Sequence, residues 1–543
     1  MKKKLIIDII VYFFLFFIFS FYIYTSNLAV NFGEHWDEIP LRLESVRQFY
    51  ITNIALPNRY DQPSMVYLIS LISSFLYHFG EYKIIGVGDS FHLVTIVSDN
   101  INLINFKIEI NEDFVIFLRK VFIFISSLTI FFVFWSLKNL RLNQYACLLG
   151  AATIPLSFQF WSMGRFIAPD ILAVFFVSGV IFFSIKFLKK YKKAYLFGAT
   201  FFSVLACSTK YTAGIILMLP VILSFLYERS FKNIFFLFFL FLTLFIILNP
   251  GIIVQPIKFL QEIFFVKQAY FKTGYGFLTV EPGVEHFIKN IKYIIFRISS
   301  QNIFISFLIF LISVIGFIRL EFYNKFKIIL FIIMLTYIVI ISLSRVNNIR
   351  NLTILFPFIS ILFASGVNFL STRFKNFNVF KYSFLFIIIS FLLFNSSKIY
   401  FSAVSLKDDL NDNYLKKELI KYLNDNSRVV INSSLLQYIP DNIVKNKLKK
   451  IKKSNEIFEE EKIIYILSSY GFYYLEVDKM YHGKFVGNIN QYNTIAGPKD
   501  VDLDYFPTWI GKKRVVATSG NTMKYLIDFS EKKFDYYLWE KNN

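Results

Sequence analysis

Apolar residues in this chain gather into long runs separated by short basic connections, and the runs are long enough to cross a bilayer. A helical span needs about 20 apolar residues. On that measure spans are predicted near 5–25, 114–137, 145–162, 169–188, 194–208, 211–227, 233–249, 301–318, 327–343, 352–370 and 382–401, which makes eleven, the fifth of them short. Three polar stretches are too long to be simple connections: 26–113, 250–300 and the tail 402–543. The first contains an apolar piece, Pro63 to Phe79. A further span there would invert every later basic loop, so a helix lying along the membrane interface is expected.

In the tail the period of the pattern changes. A polar helical pattern, YLKKELIKYLNDN from Tyr414, runs into the strand patterns RVVINSS from Arg428 and KIIYILSS from Lys462. Helix-then-strand alternation predicts a small α/β domain over 402–543, following a polytopic α-helical membrane region over 1–401. Gly and Pro punctuate 483–511, which reads as loops, and no repeat divides the membrane region into matching halves.

Composition secures the membrane reading. Of 543 residues 56% are hydrophobic, 20% aromatic and only 17% charged, with 70 phenylalanines. Soluble domains carry about 25% charged residues and could not hide this much apolar surface. The net charge of +21 would suit a nucleic-acid binder, but its placement argues for topology instead. Lys2–Lys4, Lys138 and Arg141, the lysines at 186–193, Arg229 and Lys232, Arg319, Lys325 and Lys327, and Arg373, Lys375 and Lys381 all mark one set of alternate loops. The positive-inside rule then predicts a cytoplasmic N-terminus, an extracytoplasmic tail, and all three polar stretches on the outer side. Basic and apolar regions open the chain as in a signal peptide, but no small-residue cleavage site follows, so the first run is read as a retained span. Cys147 and Cys207 both fall within predicted spans and imply no disulfide framework.

The charges expected on the outer side are the candidates for chemistry. HWDE places Asp37 and Glu38 just beyond the first span. Adjacent acids cannot share a helix face, so one of them at most points into a given site, as a proton acceptor or as a plain loop acid. PNRYDQPSMVY follows with Tyr60, Asp61 and Gln62, and SMGRFIAPD sets Arg165 and Asp170 at an outer turn, where Asp170 would also serve as a helix cap. STKY carries Lys210, and SRVNNIRNLTILFPF carries Arg345 and Arg350 ahead of a span containing Pro357. Four outward cations suit a bound phosphate or, more plainly, lipid headgroups. His35, His78, His92, His286 and His482 show no zinc spacing such as HxxxH, so a divalent metal stays open without being indicated.

In composition and order these motifs resemble the GT-C membrane glycosyltransferases, in the branch of the protein O-mannosyltransferases and aminoarabinose lipid A transferases. The acidic pair is matched by Asp37 and Glu38, the Tyr-Pro segment by YDQPS with one proline where two are usual, the Arg…Asp turn by Arg165 and Asp170, the Thr-Lys turn by Thr209 and Lys210, and the Arg before a proline-bearing span by Arg350 and Pro357. The tail, especially IIYILSSYGFYYL from Ile463, is similar to the outer domain of that branch. The resemblance implies inverting transfer of a sugar from a polyprenyl-phosphate donor to a hydroxyl on a protein, lipid or glycan, in the plasma membrane and without a required metal. It further implies Asp37 as general base, Arg165, Lys210, Arg350 and Arg345 as phosphate ligands, and Asp170 as an orienting acid. Tyr60, Asp61 and Gln62 are its implied substrate contacts, although Asp61 and Gln62 stand where the branch often has an acid followed by a phosphate-binding Lys, which is absent here. A secondary transporter or lipid flippase is the rival from another class; a transporter is expected to place charges along a midplane path between repeated halves.

Overall fold

The structure is a computed structural model that describes residues 2–30, 43–52, 55–57, 59–77, 82–87, 90–95, 112–273, 280–300, 302–319, 324–347, 349–373 and 378–411, together with strands in 428–541. The chain divides between Tyr400 and Phe401 into two compact units.

The first unit is almost entirely helical. It begins with α1 (Lys2–Leu28), α2 (Glu44–Thr52) and α3 (Met65–Tyr77). A hairpin of β1 (Tyr82–Val87) and β2 (Ser90–Thr95) follows, with Val87 opposite Ser90; the sequence pattern had left it unread. Next come α4 (Glu112–Ser127) and α5 (Thr129–Asn139), which together make one span, then α6 (Gln144–Thr153) and α7 (Phe158–Gly164), bent by 56°. The succession continues through α8 (Pro169–Lys190), α9 (Lys193–Thr209), α10 (Met218–Glu228) and α11 (Phe231–Leu248). The second polar stretch folds as α12 (Gly251–Val254), α13 (Pro256–Gln268) and α14 (Val284–Phe296). The unit is completed by α15 (Ile303–Arg319), α16 (Asn324–Ser342), α17 (Phe356–Arg373) and α18 (Asn378–Asn411).

Among the described residues eight helices are long and apolar enough to cross a membrane, or nine when the bent α6–α7 pair counts as one span. The two remaining predicted spans are present as helices α9 and α15, each of 17 residues. Such a helix is about 25 Å long, a little short of the bilayer's apolar thickness. The chain is a multi-pass membrane protein. At 13 residues, α3 is far too short to cross, in keeping with the expectation that Pro63–Phe79 is no span.

Helices α8 and α17 form the centre of the unit, with 83% and 89% of their best apolar windows buried, whereas α1 and α11 turn most of their surface outward. Glycines let α15 and α17 touch. A Cβ on Gly316 would lie 1.8 Å from the Leu362 carbonyl oxygen, and one on Gly366 would lie 2.0 Å from that of Ile312. Small residues permit this kind of backbone approach, through which packing alone can hold membrane helices together.

The clustered basic residues of the alternate loops collect at one end. Lys138 lies 4.0 Å from Asp8, Lys189 donates to Asn139, and Lys193 donates to Asn233. Asn143 caps α6 and donates to Ser371 near the end of α17, where the Arg319 guanidinium covers Phe369. The start of α8 and the end of α9 point to the opposite end, and the candidate residues lie there.

The second unit contains a five-stranded sheet made of β3 (Arg428–Ile431), β4 (Leu448–Lys450), β5 (Ile463–Ser468), β6 (Gly483–Asn488) and β9 (Tyr536–Lys541), in the order β4-β3-β5-β9-β6. Strand β3 runs parallel to β4 and β5, while β9 runs antiparallel to β5 and β6. Strands β7 (Arg514–Ala517) and β8 (Lys524–Ile527) pair separately. The strands expected from Arg428 and Lys462 are therefore neighbours, and β6 lies within the stretch read as loops. The helix expected from Tyr414 lies outside the described residues.

Candidate functional site

Helix α8 begins at Pro169, whose fixed φ suits a first helical position and whose missing N–H costs nothing there. Asp170 follows in the first turn, where the helix dipole favours a carboxylate. It is buried, with 2% of its side chain exposed. Lys210 closes antiparallel α9 in an extended conformation and brings its Nζ to 2.5 Å from Asp170 Oδ1. The same ammonium donates to Asn351 Oδ1 at 2.7 Å. Arg350 sits in the 3-10 turn Ile349–Leu355 that leads into α17, with its Nε 3.9 Å from Asp170 Oδ2. Tyr337 of α16 steadies this turn by donating its hydroxyl to the Asn351 carbonyl at 2.7 Å.

Two cations from distant stretches of sequence thus share one buried carboxylate at the end of the bundle opposite the lysine clusters. Burial pushes the Lys210 ammonium below its usual range, and the neighbouring Asp170 carboxylate opposes that shift.

The YDQPS segment lies alongside. Tyr211, next to Lys210, donates its hydroxyl to the Tyr60 carbonyl at 2.9 Å. Tyr60 donates its own hydroxyl to Gln255 Oε1 at 3.0 Å, and its backbone N–H donates to Glu262 of α13. Its ring covers Gly251, where a Cβ would lie 2.1 Å from a ring carbon. Burial, reinforced by the Glu262 carboxylate, raises the Tyr60 phenol above its usual pKa. Asp61 pairs with Arg59 at 3.1 Å, and Gln62 is half-buried beside it. Asn249 ties this segment to α9 by accepting from the Ser64 N–H and donating to Ser208, at 3.0 Å each.

Two other predicted residues sit apart from this cluster. The Arg165 guanidinium donates to the Ala29 carbonyl at the end of α1 and stacks on Phe166, 4.6 Å from its ring centre. Arg119 of α4, which sequence reasoning missed, donates to the Val30 carbonyl at 2.7 Å and covers the same ring. Both are buried and grip the chain where it leaves α1. Asp37 and Glu38 follow shortly after in the sequence and lie outside the described residues, as does His35. Arg345 directs its side chain to Glu281 at 3.7 Å and is part-exposed, while its backbone bonds to Tyr270 and Val280.

Sequence reading also missed Asn351, Tyr337, Gln255 and Glu262. Asn351 is adjacent to Arg350 and could have been proposed with it, but nothing in their local pattern marks the others. Among the described residues no three His, Cys, Asp or Glu side chains assemble as a metal site.

No curated protein matches the chain. In fold it is similar to ArnT from Cupriavidus metallidurans bound to undecaprenyl phosphate, at 10% identity and a TM-score of 0.47, covering 88% of this chain and 96% of that one. The oligosaccharyltransferase of Archaeoglobus fulgidus is similar at 11% identity and a TM-score of 0.45, covering 86% and 73%. The Pmt1–Pmt2 protein O-mannosyltransferase complex of S. cerevisiae, bound to its sugar donor, follows at 12% identity and 0.29, covering 50% and 38%. The dolichyl-phosphate-mannose-protein mannosyltransferase family matches residues 102–253. That stretch holds Arg165, Asp170 and Lys210, and over it the resemblance to the GT-C membrane glycosyltransferases read from the sequence is borne out.

Proposed function

We propose that this protein is an inverting glycosyltransferase of the plasma membrane. It moves a hexosyl- or pentosyl-type sugar from a polyprenyl-phosphate donor to a hydroxyl on a protein, lipid or glycan at the extracytoplasmic face. The observation that carries this reading is the meeting of Lys210 and Arg350 on Asp170 within a bundle whose 102–253 stretch matches a mannosyltransferase family. Two cations held together repel each other, and a bound phosphate relieves that repulsion while using their donors.

In the proposed reaction Asp37 accepts the proton of the acceptor hydroxyl as its oxygen attacks the anomeric carbon. The bond from that carbon to the phosphate oxygen breaks, and the lipid phosphate leaves with the electron pair. Lys210 and Arg350 stabilise the charge gathering on the leaving phosphate. Asp170 keeps both cations in place, a more specific role than orienting acceptor or sugar. Arg165, with Arg119, secures the end of α1 ahead of Asp37. Tyr60, clamped by Gln255 and Glu262, borders the sugar side with Asp61 and Gln62.

Transfer of labelled sugar from a synthetic polyprenyl-phosphate donor, in membranes containing the protein, tests the reading. Asp37→Asn is expected to lower transfer by at least about 100-fold, the usual contribution of a general base, with normal expression and insertion. Transfer at the wild-type rate by that variant would remove Asp37 from the role of base.

A further inference from the structure

Helix α14 lies in the second long polar stretch and is plainly amphipathic. It exposes Val284, Glu285 and Ile288 and buries His286, Asn290, Tyr293 and Ile294, which recur at the spacing of one helix face. The first two buried positions are polar, and they reach the last residue of α16 and the turn that follows it. Asn290 donates to Ser342 Oγ at 3.0 Å, and His286 Nδ1 lies 2.9 Å from the Ser344 carbonyl oxygen. A carbonyl only accepts, so Nδ1 carries the proton and the imidazole tautomer is fixed. His286 has no measurable exposure.

The same turn is held by backbone bonds from Gly283 to Ser342 at 2.8 Å, from Val280 to Arg345 at 2.9 Å and from Arg345 to Tyr270 at 2.6 Å. Residues 343–347 form no regular element that could hold themselves in place. The chain then enters the 3-10 turn that presents Arg350 to Asp170 and Asn351 to Lys210. A buried histidine is more often a packed core residue than a functional one. This one is bonded to a turn whose position sets where two members of the ionic cluster stand.

We infer that His286 is a positioning residue for the donor phosphate: its Nδ1–H bond to the Ser344 carbonyl sets the turn that delivers Arg350 and Asn351 to Lys210 and Asp170. The inference rests on the phosphate reading of that cluster.

Binding of polyprenyl monophosphate to the full-length protein in detergent tests it. His286→Ala deletes the bond that sets the turn, so its affinity is expected to fall about tenfold. His286→Asn places an amide nitrogen near the Nδ1 position and is expected to bind within about twofold of wild type. His286→Gln fills the volume better but carries its amide one bond too far, and is expected to bind as weakly as the alanine variant. Equal binding by the alanine variant and wild type would overturn the inference, as would a glutamine variant equal to the asparagine one. Where the alanine variant does not fold, the asparagine–glutamine pair decides. Arg350→Ala separates the two levels of argument. If wild type binds no polyprenyl monophosphate, or Arg350→Ala binds like wild type, the phosphate reading itself fails. If Arg350→Ala weakens binding and the His286 variants do not, only the positioning role fails.

Discussion

Asp170 is the residue on which the cluster depends, because Lys210 and Arg350 both lean on its buried carboxylate. Removing one partner of a buried ionic group costs about 3–5 kcal/mol. Asp170→Ala is therefore expected to lower the thermal midpoint in detergent markedly and to abolish transfer. A midpoint equal to wild type would show that the carboxylate is not holding the cations. His286 is sensitive to pH in a direction that follows from its setting. Burial holds its pKa below the usual value, with Lys289 pushing the same way and Glu285, the Ser344 carbonyl and Asn347 opposing. The unfolded chain then takes up the proton first as pH falls, so stability is full above the unfolded pKa of about 6.5 and declines below it. Between about pH 7.5 and about pH 5 the midpoint of wild type should drop further than that of His286→Asn. Equal drops would mean that the imidazole is not protected. The ionic residues were legible in the sequence because a charge beside an apolar run stands out. Arg119 was not, since nothing local separates it from the adjacent, exposed Lys120, and nothing local marks His286 as buried among its polar neighbours.

At the scale of elements, helices followed directly from apolar run length, and every predicted span corresponds to a helix. What run length could not give was the break between α6 and α7, the shortness of α15, or the pairing of β1 and β2. Nor does it say which helices are central, because α8 and α11 are equally apolar at a mean hydropathy of 2.4, yet one is buried and the other faces outward. Pairing depends on small residues instead. Gly316 and Gly366 carry the close approach of α15 and α17, and α17 follows directly from the turn bearing Arg350. Gly366→Val would push its side chain into the Ile312 carbonyl and force the helices apart. Overpacking of this kind costs about 1–3 kcal/mol, so a lower midpoint and reduced transfer are expected. Wild-type stability in this variant would show that the helix contact tolerates separation.

For the whole molecule the decisive question is which end of the bundle faces which compartment. A span such as α8, with 22 residues, is about 33 Å long and matches the apolar thickness of a bilayer. Its two ends therefore belong to different aqueous phases, with Asp170 at one and Lys189 and Lys190 at the other. The lysine end should be cytoplasmic, because translocating clustered positive charge is disfavoured. The ionic cluster, with α14 of the polar stretch behind it, should then face the outer compartment, where a lipid carrier would present its sugar. Cys147 and Cys207 are buried thiols, so they give little background to a thiol reagent. Reporter cysteines can therefore be read against the native chain. Glu285→Cys should react with a membrane-impermeant maleimide in intact cells, and Lys192→Cys only after the membrane is permeabilised; both positions are exposed. The reverse pattern would put the cluster in the cytoplasm, and labelling of both from one side would mean that α8 does not cross the membrane.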